Sequence, residues 1–151
     1  MKKIITTLLL LTLSLTAFSQ GKERKERIRA LKTAHITEKL DLSEKEAQKF
    51  WPIYNAYNEN MKTLKHVKVR KIRQEIKQNI NTLTNQKAQE FLNQLSEAEN
   101  SMHNERLKLV NDLKGVISPK KILLLKIAEE EFNRKLFEQI RSRHQGGKKR
   151  N

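Results

Sequence analysis

Four histidines and a scatter of carboxylates are the residues best suited to coordination or proton transfer, so their spacing comes first. Glu99 and His103 stand four residues apart with Met102 adjacent, and His35 has Glu38 three residues on. On a helix, either pair shares a face and offers two ligands to one ion. His66 lies among lysines and His144 beside the basic tail, both poor sites. With no HExxH pattern and no cysteine, no specific metal site is assigned, and Glu99, His103 and His35 are kept as weak candidate ligands. Ser101 and His103 fall on different helix faces and cannot form a nucleophile and base pair. The chain has neither a glycine-rich phosphate loop nor a nucleophile elbow, so neither catalysis nor a cofactor is expected.

The remaining chemistry is charge and aromatic surface. From Lys62 to Lys77 the chain carries Lys62, Lys65, Lys68, Arg70, Lys71, Arg73 and Lys77 against the single acid Glu75. Charges so dense repel one another along a helix unless something anionic compensates. The stretch therefore reads either as a solvated face or as a surface for acidic protein segments. Upstream, Phe50, Tyr54 and Tyr57 share one helical face and read chiefly as core, although Tyr54 is also carried as a binding candidate. Trp51 lies about 100° round the helix from Phe50 and is the better candidate for a partner contact.

Three similarly laid-out phrases mark the starts of the elements that must position these residues. They are Leu42-Ser43-x-x-Glu46-Ala47, Leu83-Thr84-x-x-Lys87-Ala88 and Ile117-Ser118-Pro119-x-Lys121-Ile122. Each offers an apolar residue, a Ser or Thr N-cap and a second apolar residue able to meet the first. Ser43 and Glu46 can form a reciprocal capping box, and Pro119 at the first helical position loses no needed donor. The spacing predicts four helices: residues 22–40, 44–81, 85–114, and one from Pro119. Gly115 is expected to close the third in a left-handed conformation.

The second helix carries Phe50, Tyr54, Tyr57, Met61, Leu64, Ile72, Ile76 and Ile80 as an apolar stripe, with Lys68 its one polar break. At 38 residues it would extend about 57 Å, too long for one copy of a domain this size to cover. Pro52 removes the hydrogen bond to the Gln48 carbonyl, so a kink is expected there. These features predict an all-α, four-helix, elongated and kinked hairpin-like cradle, with two copies sharing the core as a homodimer.

The ends of the chain suggest a compartment. Met1-Lys2-Lys3, the apolar run Ile4–Ala17 and Ala17-Phe18-Ser19 have the form of a secretory signal, so residues 1–19 are expected to be removed. Residues 20–144 then form the helical domain, and the apolar-free stretch 145–151 is expected to be a disordered basic tail. Losing Lys2 and Lys3 lowers the formal charge from +15 to +13. That field favours anionic partners, while export to the periplasm would remove chromosomal nucleic acid from their number.

Phrases on both sides of the chain resemble the Spy/CpxP superfamily of exported helical proteins, named for a repeated Leu-Thr-x-x-Gln motif. The resemblance rests on Ile36–Ser43, Glu46-Ala47-Gln48-Lys49-Phe50-Trp51-Pro52-Ile53-Tyr54 and Ile117-Ser118-Pro119-Lys120-Lys121-Ile122, followed by Ala128-Glu129 and Phe132. It is closest to the Bacteroidetes branch labelled sensor of ECF-type sigma factor or periplasmic heavy-metal sensor. Where the motif ends in glutamine this chain has Glu46 and Lys121, and serine replaces threonine both times. The resemblance implies a periplasmic envelope-stress sensor or accessory regulator that binds proteins non-catalytically. An ATP-independent holdase chaperone is the alternative, and a metal-sensing protein a second. Expected partners are unfolded or acidic protein segments, the exported domain of a membrane signalling protein, or an anionic envelope surface. The candidate contact residues are Trp51, Tyr54, Lys65, Lys68, Arg70, Lys71 and Arg73, positioned by Ser43, Glu46, Pro52, Thr84, Ser118 and Pro119.

Overall fold

A computed structural model describes residues 2–148, with side chains described from Gly21 to Ser142. The described residues are all helical apart from short turns: α1 (Lys2–Leu40), α2 (Glu44–Lys62), α3 (Arg70–Asn79), α4 (Asn85–Lys114) and α5 (Pro119–Lys148). A π-helical segment, Thr63–Val69, joins α2 directly to α3, and a 3-10 turn, Ile80–Thr82, ends the run. The stretch from Glu44 to Asn79 is thus one helical rod, and the described residues form four rods. The expected signal at residues 1–19 falls where side chains lie outside the described residues. Of the expected basic tail, α5 continues through Lys148 and residues 149–151 lie outside the description. Among the described residues no helix is long and apolar enough to cross a membrane.

The rods begin where the capping chemistry places them. The Ser43 side chain accepts from the Glu46 backbone N–H while the Glu46 carboxylate accepts from the Ser43 N–H, a complete capping box. The Thr84 hydroxyl accepts from Lys87 N–H, but lysine three residues on cannot reciprocate. Ser118 accepts from Lys121 N–H, with Pro119 as the first residue of α5.

Helix ends depart from expectation in two places. At the end of α1 the left-handed position is taken by Asp41 (φ 47°), a residue type whose short polar side chain tolerates that region. Gly115, expected to be left-handed, has φ −85° and ψ −2° instead. The N–H groups of Val116 and Ile117 both reach the Leu113 carbonyl, at 2.9 and 3.0 Å, so a right-handed turn closes α4. A Cβ at Gly115 would meet nothing within 4 Å. Gly115→Ala is therefore expected to stabilise the protein by about 0.4–1 kcal/mol through the entropy of the unfolded chain, measured as a rise in the denaturant midpoint.

The chain divides into two compact units. In the unit spanning Leu42–Leu123, α4 packs against α2, the π segment and α3. Its core holds Phe50, Tyr54, Met61 and Ile72 from the long rod, Phe91, Ala98, Leu109 and Leu113 from α4, and then Ile117 and Ile122. The other unit pairs α1 with α5 from Leu124 onward around Ile36, Leu40, Leu125 and Ala128. There Lys32 pairs with Glu129 at 3.2 Å and Lys39 with Glu131 at 2.9 Å. Pro52 lies within α2 and does not interrupt it. Both Pro52 and Gln48, whose carbonyl loses its donor, are exposed, so water can satisfy that carbonyl.

Candidate functional site

The basic stretch lies on the part of the long rod where the helix changes type. Met61 is buried and Leu64 half-buried; the next inward residue is Val69, then Ile72 and Ile76. The step from Leu64 to Val69 is five residues, one more than an α-helical stripe provides. The π turn absorbs that extra residue. Lys68, which a regular helix would aim inward, is exposed as a result. Wide turns of this kind cost regular hydrogen bonding and are frequent at functional positions.

Around this turn Lys62, Lys65, Lys68, Arg70, Lys71, Arg73 and Lys77 are all exposed. Lys62 pairs with Glu59 at 2.8 Å. Among the described residues no carboxylate lies within ion-pair distance of the other six. Glu75, the only acid of the stretch, is half-buried. Val67, in the middle of the π segment, is 61% exposed. The resulting surface carries unneutralised cations around a small apolar spot, suited to a flexible polyanion with apolar residues in it.

The aromatic candidates separate. Tyr54 is only 2% exposed, its ring stacked on Phe50 at 5.3 Å, which corrects its inclusion among surface contacts. Trp51 is half-buried, edge-on to Phe50 at 5.0 Å and to Tyr54 at 5.7 Å, and keeps part of its ring accessible. On the α2 and α4 surfaces a groove of about 260 Å³ is lined by Pro52, Ile53, Ala56, Tyr57 and Leu109. Asn60 donates to Glu105 at 3.1 Å along the same groove.

The metal candidates do not assemble. Glu99 and His103 are both exposed on α4. His35 turns toward Glu131 rather than Glu38: its Nε2 is buried without a hydrogen bond, 3.9 Å from a Glu131 oxygen that Lys39 already occupies. The hydrogen bond from Lys39 holds the Glu131 carboxyl below its usual range. Among the described residues no three histidine or carboxylate side chains gather as a ligand set.

Sequence reasoning missed one contact that ties two of the capped starts together. Glu46 Oε2 accepts from Ser43 N–H at 2.9 Å, from Ser43 Oγ at 3.0 Å and from Lys121 Nζ at 2.8 Å. These bonds, Lys121 foremost, lower the Glu46 pKa from 4.5 to about 2. Glu46 and Lys121 are the same position of two matching phrases, and their opposite charges were the available signal. No protein-family model, no curated protein and no solved structure matches the chain.

Proposed function

We propose that this chain is a non-catalytic protein-binding component of the periplasm, an envelope-stress sensor or accessory regulator of the Spy/CpxP type. The observation that carries the reading is the group of six exposed, unneutralised cations on and beside the π segment. An acidic segment of a misfolded chain, or of the exported part of a membrane signalling protein, would compete for that surface. Occupancy by one would release the other, which requires only differential affinity. The resemblance in Ile36–Tyr54 and Ile117–Phe132 supports the compartment and the role.

The test is binding to polyglutamate across a salt series. Affinity is expected to fall steeply as screening increases, and replacing Lys65, Lys68, Lys71 and Arg73 together by glutamine is expected to weaken low-salt binding by at least about tenfold. Binding indifferent to salt and to the four substitutions counts against the reading. Exposed Val67 among the cations, and exposed Ile80 beyond them in the chain, support the holdase alternative. That alternative predicts suppression of aggregation of an unfolded client at stoichiometric amounts; no protection dismisses it.

A further inference from the structure

Along the α1–α5 pair the packing is tight at one end and open at the other. Ile36, Leu40, Leu125 and Ala128 are at most 2% exposed, and the rings of His35 and Phe132 meet at 5.9 Å. One turn further out on both helices, past Leu31 and Leu136, the pair encloses a groove of about 260 Å³. Leu31 is 50% exposed there, while Ile28, Leu136 and Ile140 are half-buried. On α1 the lining residues Arg24, Arg27, Ile28 and Leu31 are spaced i, i+3, i+4 and i+7, a single helical stripe that turns from cationic at the mouth to apolar within. Both arginines are exposed, and among the described residues no carboxylate lies within ion-pair distance of either. Glu23 is the one acid in the lining, and Gln139 adds an amide donor.

An apolar floor, an inner end closed by the His35–Phe132 contact and two unneutralised guanidiniums at the mouth match a molecule with one anionic head and one hydrocarbon tail. The volume lies below the range of about 300–1,000 Å³ usual for small-molecule sites, which leaves room for one alkyl chain and not for the two of a diacyl lipid. A guanidinium presents the planar fork that fits carboxylate oxygens. We propose that this groove binds a single-chain fatty acid, its carboxylate held by Arg24 and Arg27 and its tail lying on Ile28, Leu31, Leu136 and Ile140. The lining runs from Glu23 to Leu31 on α1, about 12 Å, the length of a chain of about ten carbons. The groove belongs to one compact unit and the basic stretch of the long rod to the other, so the inference stands apart from the proposed binding role.

Calorimetric titration of the full chain with decanoate, decanol and decylammonium, each at concentrations where it is monomeric, tests the proposal. Decanoate is expected to saturate one site per chain, and decanol, which lacks the charge, to bind at least about tenfold more weakly. Replacing both arginines, Arg24→Glu with Arg27→Glu, reverses the charge of the mouth. That variant is expected to weaken decanoate binding by about tenfold or more and to make decylammonium the preferred ligand. Both positions are exposed, so helical circular dichroism is expected to stay unchanged and serves as the folding control. Sedimentation equilibrium is expected to give the same mass with and without decanoate. No binding up to millimolar decanoate overturns the proposal. Binding indifferent to the charge reversals also overturns it, since the ligand would then sit elsewhere, as on the apolar run Ile4–Ala17. So does binding that occurs only as two copies dissociate, which would give the groove to a second copy of the chain.

Discussion

Glu46→Ala is expected to lower the melting temperature by several degrees, clearly more than Lys121→Ala. One carboxylate oxygen serves both the capping box of α2 and the ion pair to the start of α5, so its removal breaks three hydrogen bonds. Removing Lys121 breaks its bond to Glu46 and leaves the box intact. Lys121→Glu is expected to be the worst substitution at that position, because it points a second carboxylate at the first. A double variant, Glu46→Gln with Lys121→Gln, recreates the glutamines of the motif that the chain resembles. An amide at 46 can accept from Ser43 N–H and donate to an amide at 121. Most of the stability lost in either alanine variant is expected to return in it. Additive losses when Glu46→Ala and Lys121→Ala are combined would show that the two residues act independently.

The same pair sets part of the acid sensitivity. Because the Glu46 pKa is lowered on folding, from 4.5 to about 2, its contribution is complete above pH 4.5 and disappears as pH falls toward 2. Glu131 adds to the same limb through Lys39, since its pKa is also lowered. Comparing melts of wild type and the double glutamine variant across this window isolates the Glu46 share: the wild-type curve is expected to fall more steeply. Parallel curves would assign the acid limb to other carboxylates.

Capping chemistry is short-range, and that is why the three rod starts at Ser43, Thr84 and Ser118 were legible in the sequence: a hydroxyl and an amide three residues apart meet whatever the rest of the chain does. The apolar stripe of the long rod was legible for the same reason. What depends on tertiary pairing was not. Nothing within either phrase says that Glu46 and Lys121 meet, as they stand 75 residues apart. His35 has Glu38 as its sequence neighbour, but packing turns it toward Glu131. Gly115 was assigned a left-handed turn by residue type alone, whereas that conformation occurs at Asp41, which no glycine signal marked. Of the surface candidates, the cations from Lys62 to Lys77 are all exposed, Lys68 among them despite its place in the apolar stripe. Tyr54 was ambiguous because period alone does not say which side of a helix meets a partner.

Lys68 shows what a broken pattern can mean, and leads to the prediction with the largest expected contrast. Its position in the apolar stripe first reads as a tolerated polar residue, yet the described rod widens there and expels it. If the π turn holds one residue beyond what an α-helix needs, deleting Lys68 closes the spacing from Leu64 to Val69 from five residues to four. Met61, Leu64, Val69, Ile72 and Ile76 then fall on one α-helical stripe without the wide turn. The deletion is expected to leave the fold intact and the melting temperature unchanged or raised. Deleting Ser96 from the regular part of α4 makes the opposite case, since it rotates everything beyond it by about 100° and carries Ala98, Leu109 and Leu113 out of the core. That variant is expected not to fold, as read by loss of cooperative melting. Lys68→Ala separates the lost charge from the lost turn: if the π geometry presents the cations, the deletion weakens polyglutamate binding more than the alanine variant does. A deletion variant as unstable as the Ser96 deletion would mean that the π turn is fixed by packing on both sides and holds no surplus residue.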